Sequence, residues 1–284
     1  MYQIVEKKPL NAAVVQMKIY APLVAQKAKP GQFIILRVDE DGERIPLTVA
    51  GTDALSGQVK IIYQIVGATT EKLNHLNVGD CVRDFVGPLG EPTRMDGLGR
   101  VCVVGGGVGC AIAMPVAQAL HEMGAEVTSI IGFRNRELVI LEEEFSACSD
   151  RLFVMTDDGS YGQKGNVTAP LSQLLASGET FDQIITIGPL IMMKFVVEAA
   201  RPYGVPVTVS MNPIMIDGTG MCGGCRLTLL RDGKRVTSFA CVDGPDFNGY
   251  EVDFDEAMSR GRMYADFERH AYEDACNLYR KEVR

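Results

Sequence analysis

The 284 residues carry a formal net charge of −8, with 46% hydrophobic residues. That length allows two domains with a further small module, and the acidity argues against a nucleic-acid partner. No apolar run reaches the roughly 18 residues of a membrane helix, and the start lacks the features of a signal peptide, so a cytoplasmic protein is expected. Of eight cysteines, Cys102 and Cys110 sit in or beside an apolar strand, Cys81 and Cys148 are isolated and Cys276 lies in a helical tail. Only Cys222, Cys225 and Cys241 cluster, which argues for reduced thiols rather than a disulfide framework.

Residues 1–98 read as short strands at Tyr2–Glu6, Ala12–Ile19, Gln32–Val38, Leu47–Gly51 and Gln58–Val66. They are separated by turn signals such as Pro30-Gly31 and Asp41-Gly42, which predicts a small antiparallel β-barrel. One helical patch, Thr69–Leu76, opens with hydroxyl residues that can cap it. The turn Val66-Gly67-Ala68-Thr69-Thr70 in front of it suits an anion, because free N–H groups and the helix dipole both point outward. A purely structural strand-to-helix turn has the same composition.

Four segments then carry a resemblance: Pro30-Gly31-Gln32-Phe33, Pro46-Leu47-Thr48, Gly67-Ala68-Thr69-Thr70 and Gly87-Pro88-Leu89-Gly90. In this order they resemble the ferredoxin–NADP reductase-like flavoproteins. The resemblance implies FAD, with Pro46, Leu47 and Thr48 along the isoalloxazine and the Thr48 hydroxyl near its reactive nitrogen. It implies Gly67, Thr69 and Thr70 on the pyrophosphate, and Ile62, Tyr63 and Gln64 near the ribose and adenine. Arg44 departs from the pattern, since Ile45 separates it from Pro46.

Residues 99–208 read as a Rossmann-like parallel α/β domain. An apolar strand around Val101–Val104 runs into Gly105-Gly106-Gly107-Val108-Gly109, followed by a helix over Ala111–Met123 and a strand over Ala125–Gly132. Strand, glycine turn and helix in this order are a dinucleotide-binding unit, with Cys110 where a third glycine or alanine belongs. The turn is similar to the G-G-G-x-G of the same superfamily. After the second strand, Arg134 would suit a 2′-phosphate, whereas relatives with this loop imply NADH, which is the expectation adopted. Thr156-Asp157-Asp158-Gly159-Ser160 serves as a plain turn; the resemblance places Asp157, Asp158 and Gly159 beside the nicotinamide half. Gly188-Pro189 follows the strand Phe181–Ile187, where relatives carry Cys-Gly-Pro and this chain has Ile187. Met192 and Met193 in the next helix are expected to pack rather than ligate.

Residues 209–284 hold Asp217-Gly-Thr-Gly-Met-Cys222-Gly-Gly-Cys225, with Cys241 brought back by a hairpin of Leu227–Leu230 and Val236–Ala240. D-x4-C-x2-C…C is the plant-type two-iron spacing with aspartate in the first cysteine position, and glycines let the backbone curl around a small cluster. A zinc site, a disulfide loop and unrelated free thiols are the competing readings. Phe254–Arg284 reads as one helix, for which docking to a partner subunit is preferred over folding back on its own domain. His75, His121 and His270 are scattered and receive no role.

Taken whole, the chain resembles the small subunits of NADH-dependent reduced ferredoxin:NADP oxidoreductases, also called sulfide dehydrogenase beta subunits. It is also similar to the electron-transfer subunits of dihydroorotate dehydrogenases, in which the first cluster ligand is cysteine. The resemblance implies FAD, NAD(H) and a 2Fe-2S cluster held by Asp217, Cys222, Cys225 and Cys241. It further implies a heterodimer with a larger subunit bearing flavin and 4Fe-4S clusters, ferredoxin as an indirect partner, and electron bifurcation. The alternatives are a dihydroorotate dehydrogenase electron-transfer subunit and, from another class, a zinc-stabilised nucleotide-binding regulator without turnover.

Overall fold

The computed structural model describes residues 2–282. Its first sheet is antiparallel, with order β6-β1-β2-β5-β4-β3-β7. The strands are β1 (Tyr2–Pro9), β2 (Val14–Tyr20), β3 (Phe33–Arg37), β4 (Ile45–Asp53), β5 (Gln58–Gln64), β6 (Cys81–Val82) and β7 (Asp84–Leu89). The edge strands β6 and β7 follow one another across Arg83, so the sheet curls into a half-barrel. Helix α1 (Pro22–Ala25) precedes β3, and α2 (Ala68–His75) follows β5. Period-two alternation explains the double role of β3: Ile34 and Leu36 fill the half-barrel, whereas Phe33 and Ile35 join the core beneath the thiol loop with Met211, Met215, Cys225 and Cys241.

The second sheet has order β11-β10-β9-β8-β12-β13-β16. It comprises β8 (Arg100–Gly106), β9 (Glu126–Phe133), β10 (Arg151–Thr156), β11 (Gln163–Lys164), β12 (Gln183–Ile187), β13 (Val207–Ser210) and β16 (Asp246–Asn248). All pairings are parallel except β13–β16. Both faces are covered: Val101 and Val103 pack on one side, Cys102 and Val104 on the other, as continuous apolar strands in parallel sheets require. The helices are α3 (Cys110–Glu122), α4 (Glu142–Ala147), α5 (Thr168–Ala176) and α6 (Leu190–Ala200). Between β13 and β16, the hairpin β14 (Arg226–Arg231) and β15 (Lys234–Phe239) pairs Arg226 with Phe239.

Several expectations are corrected. The tail is two helices, α7 (Phe254–Gly261) and α8 (Ala265–Glu282), broken at Arg262–Tyr264; the last two residues of the expected span lie outside the described residues. Helix α8 folds back onto α2 of its own chain. Strand β16, three residues long after a Gly-Pro turn, carries too little pattern to be read without its partner β13. Among the described residues no helix is long and apolar enough to cross a membrane.

Candidate redox site between the half-barrel, the parallel sheet and the thiol loop

A cleft of about 460 Å³ runs along the half-barrel. Pro46, Leu47, Thr48, Ile62, Tyr63, Gln64, Gly67, Thr69 and Thr70 all line it. Ile45–Thr48 are half-buried, so β4 presents a partly apolar floor with one hydroxyl. Tyr63 presents its backbone, since its side chain is only 2% exposed and its hydroxyl meets the Met17 sulfur at 3.8 Å. At the start of α2, the Thr70 hydroxyl oxygen accepts from the Val66 and Gly67 N–H groups at 3.1 and 3.0 Å. The N–H groups of the next residues begin a helix and have no intrahelical acceptor, which leaves this corner suited to an anion. Glu43 lies there too and accepts from the Thr69 hydroxyl at 3.3 Å.

A second cleft, about 640 Å³, opens at the ends of β8, β9 and β12. Gly106, Gly107, Val108, Gly109, Arg134, Asp157, Gly188 and Pro189 line it. Glycine is needed at position 109 because of close backbone approach, since a Cβ there would stand 2.5 Å from the Ile187 carbonyl oxygen; a Cβ on Gly106 would meet the flexible Met192 side chain, its sulfur at 2.3 Å, which can give way. Gly105 instead faces Cys110, where a Cβ would lie 2.9 Å from the thiol. The cysteine in the third-glycine position is fully buried packing, and burial pushes its thiol up. Arg136 stacks over Tyr161 at 5.4 Å, whereas Arg134 faces the cleft.

Asp158 and Gly159 are not among the lining residues. The Asp158 carboxylate accepts from the Ser160 N–H and hydroxyl at 2.9 and 2.6 Å, closing the turn on itself. Met193 is buried in the core and Met192 reaches the cleft. The two clefts share Gln64, Val108, Ile112, Ser210 and Asn212 as a common wall. Ser210 and Asn212 carry no charge, and their place between the two sheets puts them on both walls.

The thiol loop closes over the outer face of β3. Arg44 donates from Nε to the Ile216 carbonyl at 2.8 Å, which gives the displaced arginine a task next to Asp217. Gly218, at φ +78°, sits where a Cβ would approach Leu89 to 2.6 Å and Ile35 to 3.1 Å. The Asp217 carboxylate accepts from the Thr219 N–H at 2.7 Å and the Cys222 N–H at 2.8 Å. These bonds, Thr219 first, hold its carboxyl below the usual carboxylate range. Each oxygen retains lone-pair capacity for another partner.

The Cys225 and Cys241 thiols lie 3.1 Å apart, buried, while Cys222 is exposed. Burial and the neighbouring Cys225 thiol push Cys241 up to about 12. Two adjacent thiols become thiolates when a cation supplies compensating charge, and two thiolates on one tetrahedral metal at about 2.3 Å would stand just under about 4 Å apart. The donor set therefore fits a thiolate-bound metal. Among the described residues, no three His, Cys, Asp or Glu side chains converge as on a single ion.

A curled antiparallel half-barrel facing a parallel sheet through adjoining clefts, with a cysteine loop beside them, is the fold of flavin- and pyridine-nucleotide-dependent reductases. The iron-sulfur cluster binding domain of dihydroorotate dehydrogenase B matches residues 212–253. The dihydroorotate dehydrogenase B electron transfer subunit homolog of Thermotoga maritima is 46% identical, over 95% of this chain and 94% of that protein. The Streptococcus pneumoniae electron transfer subunit is 33% identical, over 86% and 94%. A chain of the NADH-dependent reduced ferredoxin–NADP oxidoreductase structure, described for flavin-based electron bifurcation, superposes with a TM-score of 0.89 at 45% identity, covering 96% and 97%. The chain belongs to the dihydroorotate dehydrogenase B electron-transfer-subunit family, and it is an oxidoreductase subunit that transfers electrons.

Proposed function

We propose that this chain passes electrons between NADH, FAD and a 2Fe-2S cluster as the small subunit of an electron-bifurcating ferredoxin:NADP oxidoreductase. The observation that carries this reading is the shared wall of the two clefts, with the thiol loop packed against the same strand, β3, that borders the flavin cleft. When bound, the flavin supplies the exchange between paired and single electrons that a nicotinamide alone cannot make.

Pro46, Leu47 and Thr48 hold the isoalloxazine, with the Thr48 hydroxyl near its reactive nitrogen. Gly67, Thr69 and Thr70 hold the pyrophosphate, and Ile62, Tyr63 and Gln64 flank the remainder. Gly105–Gly109, Arg134, Asp157, Asp158, Gly159, Gly188 and Pro189 form the NADH side, where Gly105, Asp158 and Gly159 act by shaping the turns. Asp217, Cys222, Cys225 and Cys241 hold the cluster. No general base is required, because hydride transfer needs aligned rings.

The partner is a larger subunit carrying flavin and 4Fe-4S clusters, through which ferredoxin is reached, and the complex works in the cytoplasm. The Thermotoga and Streptococcus relatives named as electron transfer subunits support the heterodimer. The aspartate in the first ligand position separates this reading from that of a dihydroorotate dehydrogenase subunit.

The deciding experiment measures FAD, iron and acid-labile sulfide in the purified chain, then adds NADH anaerobically. About one FAD and two irons per chain, with bleaching of both chromophores, is expected. Zinc without iron would sink the proposal.

A further inference from the structure

Helix α8 leaves the module it follows. Helix α7 is fixed beside the thiol hairpin and the parallel sheet: the Asp253 carboxylate caps it by accepting from Glu256 N–H at 3.0 Å, and Arg235 of β15 pairs with Glu256. Lys194 of α6 holds Asp255 at 2.8 Å. After the break at Arg262–Tyr264, α8 crosses to α2 of the half-barrel. There Phe267, Glu268 and Ala271 form part of the wall of the same cleft that Thr48 and Thr70 line.

Phe267 and Ala271 lie one turn apart, so they share a helix face. The Phe267 ring is 67% exposed although it belongs to this wall. A large aromatic left uncovered by its own chain, above a small alanine, offers a flat apolar face to a planar ring. Stacking on such a face needs no sequence-like readout, only a π-surface.

We propose that α8 is a clasp for the flavin dinucleotide, with Phe267 stacking on its adenine half while α2 receives the pyrophosphate. The proposal rests on reading this cleft as the FAD site. It assigns the tail a ligand in its own chain, in place of a partner subunit. Because α7 is tied to the hairpin and α8 to α2, the clasp also spans from the cluster module to the flavin module. Opening at Arg262–Tyr264 would release the cofactor without unfolding either sheet.

The test follows FAD release from the full-length holoprotein after dilution, read by the rise in flavin fluorescence. Phe267→Ala is expected to release FAD about tenfold faster, the scale of one aromatic stack. Phe267→Tyr restores slow release, and Arg269→Gln, in the same helix but outside the cleft, leaves it at the wild-type rate. A chain ending at Gly261 loses FAD at least as fast as Phe267→Ala, with iron content unchanged. Wild-type release from Phe267→Ala overturns the clasp, including the case in which that variant loses only association with the larger subunit. If the wild-type chain holds no FAD, the flavin reading of the cleft falls and the clasp with it.

Discussion

Asp217 concentrates the chemistry of the thiol loop in one side chain. Its carboxylate already gathers the Thr219 and Cys222 N–H groups, so it shapes the loop as well as standing at the proposed ligand position. The two roles separate on substitution. Asp217→Cys keeps a ligand and is expected to retain two irons, with a changed visible spectrum and reduction potential, because thiolate is softer than carboxylate. Asp217→Ala removes both the ligand and the two accepted hydrogen bonds, and iron content should fall below half of wild type by colorimetric assay. Full iron in Asp217→Ala would show that the ligand is elsewhere. The D-x4-C-x2-C spacing makes position 217 a candidate ligand position from sequence alone. Its bonds to the loop are not legible there, because they depend on the left-handed glycines that bend it.

At the scale of elements, the junction of β8, the glycine turn and α3 rests on backbone contact with β12. A methyl on Gly109 would press into the Ile187 carbonyl and Gly188 Cα, at 2.5 and 2.7 Å. Gly109→Ala is therefore expected to cost about 2 kcal/mol by urea unfolding and to weaken NADH binding about tenfold or more in a titration. Unchanged affinity would place the nucleotide elsewhere. The pairing of Arg151, at the start of β10, with Glu179 is a second junction, and the Arg151 hydrogen bond holds the Glu179 carboxyl below its ordinary range. A lowered folded pKa contributes stability above the unfolded value, and that stability fades as pH falls through the folded one. Wild type should exceed Glu179→Gln by about 0.5 kcal/mol at pH 7, with the gap closing below the usual glutamate range. A gap that persists unchanged at acid pH would refute the assignment.

For the whole molecule, the decisive contact is the one between Arg44 of the half-barrel and the Ile216 carbonyl of the thiol loop. It joins segments 172 residues apart and ties the thiol loop to the half-barrel just ahead of β4. Arg44→Ala should leave FAD binding near wild type and slow reduction of the cluster by NADH relative to reduction of the flavin, in stopped-flow absorbance at two wavelengths. Equal slowing of both would mean that Arg44 acts on the flavin cleft instead. The same scale explains the tail: its charge-rich pattern with an apolar stripe reads as one helix docking on a partner subunit, yet the break at Arg262–Tyr264 and the packing on α2 are set by where the half-barrel lies.

By itself the sequence determined the strand pattern of the half-barrel, the strand–turn–helix of the nucleotide unit and the ligand spacing of the loop. Each of these is a local code, set by alternation, by glycine at tight approaches and by fixed intervals between donors. Only the tertiary structure decided what those pieces share. It made β3 serve two cores and joined two clefts along Gln64, Val108 and Ser210. It placed β16 on the edge of β13, closed Asp158 on its own turn and left it out of the wall of the parallel-sheet cleft, and set Phe267 in the wall of the half-barrel cleft. Those outcomes depend on contacts between residues far apart in the chain, where burial and shape rather than local periodicity select the partner.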